Sequence, residues 1–176
     1  MNSPLPHADT VPVSVACGVL TISDTRWQSL ACGEVPAADT SGKLIQSLLA
    51  AAGHSVVAHH ILPDQPEMVQ NQLRQFADTG NIQAVILNGG TGIAPRDTTY
   101  DALATLLEKE LPGFGELFRM LSYQEIGSRA IASRATAGIY RRMVIFSLPG
   151  STKAVQLGMN RLILPELVHL TQLLQS

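Results

Sequence analysis

A three-layer α/β/α fold around a mostly parallel, doubly wound sheet is the class this sequence predicts, and three observations predict it. Short runs rich in β-branched residues alternate with longer stretches of helical period, the pattern of strand–helix–strand crossovers. The strand candidates are apolar almost throughout rather than alternating, as strands covered on both faces are. The 176 residues suit a single core.

Val13 to Ser23 (VSVACGVLTIS) is the first buried strand. Residues 25–40 lose all periodicity and read as a long loop, a feature more often functional than idle. From Ser41, Leu44, Ile45, Leu48, Leu49 and Ala52 share one helical face, and Gly53 stops that helix as a left-handed cap. Val56 to Leu62 is the second strand. Pro66 opens a helix at the position where its missing N–H does no harm, with Met68, Val69, Leu73, Phe76 and Ala77 inward and Gly80 at its end. Ile82 to Leu87 is a third strand, running into Asn88-Gly89-Gly90-Thr91-Gly92. Thr98 with Asp101 makes a capping-box-like start to the next helix, which Pro112-Gly113 breaks. A further helix covers Gly115 to Ile126, and Thr136 to Ile139 forms a short antiparallel edge element. Met143 to Leu148 is the last strand, before Pro149-Gly150-Ser151 and a long C-terminal helix that Pro165 kinks or splits. Residues 1–12, with Pro4, Pro6 and Pro12, read as a flexible tail, and residues 13–176 as one domain.

Composition narrows the function. At 45% hydrophobic and 15% charged, the chain is neither disordered nor collagen-like. Its net charge is -2 and its 12 basic residues are scattered, which argues against duplex nucleic acid as a partner. Cys17 and Cys32 make no disulfide framework or zinc box. Residues 1–12 carry no Lys or Arg to start a signal peptide, and no apolar stretch reaches the roughly 18 to 20 residues of a membrane span. A cytoplasmic protein is expected. His59 and His60 are adjacent on a strand and face opposite ways, so they cannot share a metal. With no Ser-His-Asp or Cys-His arrangement, hydrolysis through a nucleophile is not expected.

Right-handed crossovers place every strand-to-helix loop on one edge, and ligands of such folds bind there, where the winding reverses. Four loops should therefore converge: Asp24 to Asp39, Pro63-Asp64, Asn88 to Asp101, and Pro149 to Lys153. Gly89-Gly90-Thr91-Gly92 can point backbone N–H groups into one concavity, an anion nest, with the Thr91 hydroxyl as a further donor; a plain tight turn is the alternative. Asp97 would sit beside any phosphate held there, which calls for a cation between them. Two carboxylates beside phosphate oxygens typically position Mg²⁺, and Asp64 can supply the second. Asp64 and Asp101 also admit a purely structural reading as helix caps. Pro149, Gly150 and Ser151 enter a helix N-terminus, another anion-favouring place, where Lys153 reaches a phosphate or points to solvent. Ser23 and Asp24, closing the first strand, lie at the same edge. Trp27 either stacks on a ligand ring or packs on the protein body.

The segments LTISD (20–24), DTSG (39–42), GGTG (89–92), RDTTYD (96–101), PGFGELFR (112–119), SRATAG (133–138) and LPGSTK (148–153), in this order, resemble the molybdopterin-binding family that includes the MogA and MoaB proteins and gephyrin-type domains. FRMLSYQEIG (118–127) with PGSTKA (149–154) looks most like the MoaB branch. The resemblance implies an α/β fold that assembles as trimers or hexamers. It also implies molybdopterin and ATP as substrates, with Mg²⁺, in an adenylylation whose product a partner protein loads with molybdate. The family's functional carboxylates fall on Asp64 and Asp97, and its phosphate loop on Gly89 to Gly92. A carrier that binds the pterin without catalysis is the other reading within the same pathway.

Overall fold

Apolar strands that need cover on both faces dictate the architecture seen in the computed structural model, which describes residues 13–175. The first twelve residues, expected to be a tail, lie outside the described ones. In chain order the elements are β1 (Ala16–Ile22), α1 (Asp24–Ala31), α2 (Thr40–Ala51), β2 (Ser55–Leu62), α3 (Pro66–Thr79), β3 (Ala84–Asn88) and α4 (Thr99–Leu106). There follow β4 (Lys109–Glu110), α5 (Pro112–Ile126), a 3-10 turn (Gly127–Ala132), β5 (Thr136–Tyr140), β6 (Met143–Leu148), α6 (Thr152–Gly158), a π-helical turn (Met159–Ile163) and α7 (Leu164–Leu173).

The sheet runs β2-β1-β3-β6-β5-β4. The first four strands are parallel, and β5 and β4 antiparallel. Winding reverses between β1 and β3, so the loops leaving these two strands part there. Val19, Ile86, Val144 and Phe146 pack on one face with residues of α2, α5 and α7, among them Ile45, Phe118 and Leu167. Leu20, Val85, Leu87 and Ile145 pack on the other with Val69, Leu73, Phe76 and Leu103 of α3 and α4. Each such side chain taken from water contributes roughly 1.5–3 kcal/mol, which fixes the sheet's position between its helix layers. Cys17 is fully buried on β1 and burial pushes its thiol up to about 12, whereas Cys32, just past α1, is exposed. Among the described residues, no helix is long and apolar enough to cross a membrane.

Most sequence-derived boundaries agree with these elements; four differ. Residues 25–40 are not one loop: α1 occupies the first part, capped by Ser23, whose hydroxyl accepts from the Arg26 N–H. No α1 residue is buried, and the helix has no strong apolar face for periodicity to register. Its aromatic Trp27 packs against the core beside α3. Pro112 does not break a helix but opens α5, standing in its first turn. The edge of the sheet is β4 rather than β5, which is paired on both sides. The capping box at α4 does not form: Thr98 is the N-cap residue without a side-chain cap bond, because its hydroxyl goes to Asp64, and Asp101 binds an arginine instead. Pro165 does split the C-terminal helix, preceded by the π turn and standing in the first turn of α7.

Candidate functional site

Hydrogen bonds tie the carboxyl ends of the parallel strands into one rim. The Ser23 N–H donates to the Leu62 carbonyl at 2.8 Å, and the Gly89 N–H to the Leu148 carbonyl at 3.0 Å. Gly89 (φ 102°) lies against β1, where a Cβ would fall 2.3 Å from the Ile22 carbonyl oxygen. The adjacent Gly90 (φ 67°) is equally confined: a Cβ would lie 2.1 Å from Thr99 Oγ1 and 2.6 Å from Asp64 Oδ2. Glycine is thus required twice over here, by conformation and by space.

Below the rim, a buried polar chain holds the loops. Asn88 donates to Thr21 Oγ1 (3.0 Å), which donates to Asp39 Oδ2 (2.6 Å). The same Asp39 oxygen lies 3.0 Å from His59 Nε2, and Asp39 Oδ1 caps α2 at the Gly42 N–H (2.9 Å). Burial raises the Asp39 carboxyl's pKa, but bonds from His59, Thr21 and Gly42 outweigh burial and hold it at about 2. Ser41, in the first turn of α2, donates to the Gly150 carbonyl at 2.8 Å, joining the loop after β6 to the same chain. Composition and spacing drew no attention to His59 or Asp39 as partners, since their contact spans two elements.

The rim carries two adjoining recesses. The smaller, about 200 Å³, is lined by Ser23, Asp24, Thr25, Asp64, Gly90, Arg96 and Asp97. Asp24 Oδ1 accepts the Asp64 N–H at 2.8 Å. Asp64 Oδ1 accepts the Thr98 N–H (3.1 Å) and the hydroxyls of Thr98 (2.9 Å) and Thr99 (3.1 Å). Asp97 Oδ2 accepts the Ala94 N–H at 2.9 Å. Burial, chiefly, and the neighbouring Asp97 charge raise the Asp64 pKa, against the lowering pull of the Thr98 and Thr99 bonds. Among the described residues no hydrogen bond engages Asp64 Oδ2 or Asp97 Oδ1, so each carboxylate keeps one oxygen for a ligand.

The larger recess, about 400 Å³, is walled by Gly89 to Gly92 and Asp97 on one side and Pro149 to Ser151 and Ala154 on another. Phe118, Ser122, Ile126, Arg129 and Ser133 close it from α5 and the segment behind it. Gly90 and Asp97 therefore belong to both recesses. Thr91 is 3% exposed, and Ser151 both lines the recess and caps α6 at the Ala154 N–H (3.3 Å).

Of the sequence-derived candidates, the structure brings Ser23, Asp24, Asp64, Asp97, Gly89 to Gly92 and Pro149 to Ser151 to this one place. Two stand elsewhere. Lys153 is exposed and lines a separate depression with Glu125, Gln156 and Arg161, because as the second residue of α6 it points off the rim. Asp101 is exposed and bound at both oxygens by Arg134, 3.0 Å away. Sequence reasoning missed Arg96, Ser122 and Arg129. The segments RDTTYD and FRMLSYQEIG held two of them, but nothing in a single helix shows which of its residues will face a loop from another strand.

Among the described residues, no cluster of three or more His, Cys, Asp or Glu could hold a metal alone. Two carboxylates with one uncommitted oxygen each form instead a hard-oxygen donor pair, suited to Mg²⁺ that keeps waters and shares phosphate oxygens. The residues present fit that ion.

Doubly wound α/β proteins, the class this fold defines, take their ligands at the switch point, where this chain brings together a glycine-rich loop and two carboxylates. The chain belongs to the family described as "Probable molybdopterin binding domain", whose model matches residues 18–169. It is 51% identical over 164 residues to molybdenum cofactor biosynthesis protein B of Halalkalibacterium halodurans, covering 93% of this chain and 92% of that protein. A crystal structure of molybdenum cofactor biosynthesis protein B superimposes with a TM-score of 0.86 at 47% identity, covering 94% of this chain and 99% of that one. The tungsten cofactor synthesizing protein MoaB from Pyrococcus furiosus does so with a TM-score of 0.81 at 38% identity, covering 94% and 100%.

Proposed function

We propose that this protein serves molybdenum cofactor biosynthesis in the cytoplasm by binding molybdopterin and adenylylating it with ATP and Mg²⁺. The observation that carries the reading is the junction of the two recesses at Gly90 and Asp97. A pterin in the larger recess would place its terminal phosphate at the glycine nest, facing the acidic recess where a nucleotide's phosphates would lie. A phosphate oxygen of molybdopterin attacks the α-phosphorus of ATP, the bond to the bridging oxygen of the β-phosphate breaks, and pyrophosphate leaves. No covalent enzyme intermediate is required, so alignment and charge neutralisation carry the catalysis.

The chain's residues have separate parts in this. The Gly89 N–H is taken by the Leu148 carbonyl, so the N–H groups of Gly90, Thr91 and Gly92 orient the acceptor phosphate. Ser23 and Asp24 border the nucleotide side. Mg²⁺ would be held by Asp64 Oδ2 and Asp97 Oδ1, where it would offset phosphate charge. Phe118 and Ile126 shield the larger recess from water, and Arg129 supplies a cation toward an anionic ligand. The reading includes a homo-oligomer, trimer or hexamer. It is supported by Leu117, Met120, Tyr123 and Ile126 of α5, all about half exposed on one helix, and by Ile131 at 82%. A molybdate-inserting protein would take the product.

The test is Asp97→Asn. It should leave folding intact and lower formation of adenylylated molybdopterin and pyrophosphate by about a hundredfold or more, since a lost metal ligand removes several kcal/mol of transition-state stabilisation. Wild-type turnover in that variant, with all substrates supplied, would overturn the assignment. A wild-type protein that retains molybdopterin but releases no pyrophosphate would instead be a carrier.

A further inference from the structure

Residues 96–101 and 112–119, of which the reaction above uses only Asp97 and Phe118, are both tied to Arg134 or to the backbone on either side of it. Arg134, between the 3-10 turn and β5, donates from Nε to the Gly92 carbonyl (2.9 Å) and from Nη2 to the Asp97 carbonyl (2.7 Å). Its Nη1 reaches both Asp101 carboxylate oxygens at 3.0 Å. Its backbone N–H donates to the Thr91 carbonyl at 3.0 Å, and its guanidinium lies 4.9 Å from the centre of the Tyr100 ring. One side chain thus spans the turn from Gly92 to Asp97.

Arg119 of α5 holds the backbone that carries that side chain. Its Nη1 donates to the carbonyls of Ser133 (3.5 Å) and Ala135 (3.3 Å), the residues on either side of Arg134. Gly115 leaves room for it: a Cβ there would lie 2.8 Å from the Ala135 carbonyl oxygen and 2.9 Å from Arg119 Nη2.

The turn has little else to hold it. Ile93, Ala94, Pro95 and Arg96 are exposed, so apolar burial does not fix its shape. Internally it has the Asp97 N–H bond to the Ala94 carbonyl (2.8 Å) and the Ala94 N–H bond to Asp97 Oδ2 (2.9 Å). A planar fork of N–H donors spreads over two carbonyls and a carboxylate in one fixed geometry, whereas an ammonium presents its three donors from a single point.

We propose that Arg134 is a positioning residue that aims the Asp97 carboxylate into the acidic recess by clamping the Gly92 and Asp97 carbonyls, with Asp101 as its counter-ion and Arg119 holding the backbone on either side. The inference rests on the proposed role of Asp97 and moves Asp101 from ligand contact to loop support.

The experiment compares full-length wild type, Arg134→Gln, Arg134→Lys, Asp97→Asn and the double variant Asp97→Asn/Arg134→Gln. Amide hydrogen exchange, which needs no substrate, should quicken in Arg134→Gln over residues 91–101 while the core strands keep wild-type protection. In adenylylation, Arg134→Gln should lose about a hundredfold in kcat with KM for ATP within about threefold, the signature of a displaced group. The double variant should be no slower than Asp97→Asn alone, because Arg134 acts through that carboxylate. Arg134→Lys should recover thermal stability through Asp101 without recovering kcat. Unchanged exchange over 91–101, or losses that multiply in the double variant, would overturn the proposal. Should wild type itself form no adenylylated product, the functional reading fails, while the exchange result still decides whether Arg134 holds the loop.

Discussion

The two recesses share a wall yet have opposite characters. Around the smaller one, the carboxylates of Asp24, Asp64 and Asp97 outnumber the single guanidinium of Arg96. Around the larger one, Phe118 and Ile126 offer apolar surface, and Arg129 is its charged residue on the α5 side. Their contrast teaches that one loop, Gly89 to Asp97, can border two recesses of different character, with Gly90 and Asp97 on the lining of both. Substitutions should therefore separate into those that injure the shared wall and those that injure one side.

The largest effect is expected at the wall. Gly90→Ala places a methyl within 2.1 Å of Thr99 Oγ1 in a left-handed conformation, so the loop must shift. Adenylylation should fall about a hundredfold and stability by about 1–3 kcal/mol, read by turnover and thermal melting. Near-normal values for either substrate would dissolve the idea of a common partition. A smaller, one-sided effect is expected from Arg129→Ala. Losing one charge-assisted contact should raise KM for molybdopterin about tenfold, worth about 1.4 kcal/mol, while KM for ATP stays within about twofold. Equal changes in both would mean that the recesses do not divide the substrates in this way.

The smallest effect on turnover, carried by stability instead, is expected behind both recesses. Asp39 has its carboxyl held at about 2 in the folded state. Because that value lies below the unfolded one, the stabilisation is present above about pH 4 and disappears as pH falls through the folded value, amounting to about 2 kcal/mol. Asp39→Asn should thus flatten the fall in stability between about pH 4 and pH 2, measured by denaturant midpoints, and alter both substrates' KM alike.

Features written in consecutive residues were legible before any coordinates. The apolar run Met143–Leu148 is a strand to the residue, and Gly80 ends α3 as its position suggested, in a left-handed conformation. Asp64 and Asp97 fall in one recess because parallel strands put their loops on one edge, where Thr98 and Thr99 bind Asp64. What stayed hidden depends on partners far along the chain. Arg134 lies 42 residues from Gly92, to which it donates, and no periodicity records that pairing. Thr98 and Asp101 carry a sound capping signal, but Asp64 and Arg134 compete for those side chains and take them. The two-residue β4 is exposed and has no apolar pattern to announce it, which is why β5 was mistaken for the edge.

The sequence contains two cysteines, and they differ in accessibility. Thiol reagents attack the thiolate, so the sequestered Cys17, with its proton held to about pH 12, is inert at neutral pH. A maleimide dye or spin label will therefore attach only at Cys32, at the far end of the helix whose first residue, Asp24, borders the acidic recess. The unmodified protein thus carries its own single attachment point for a spectroscopic reporter of events at that recess.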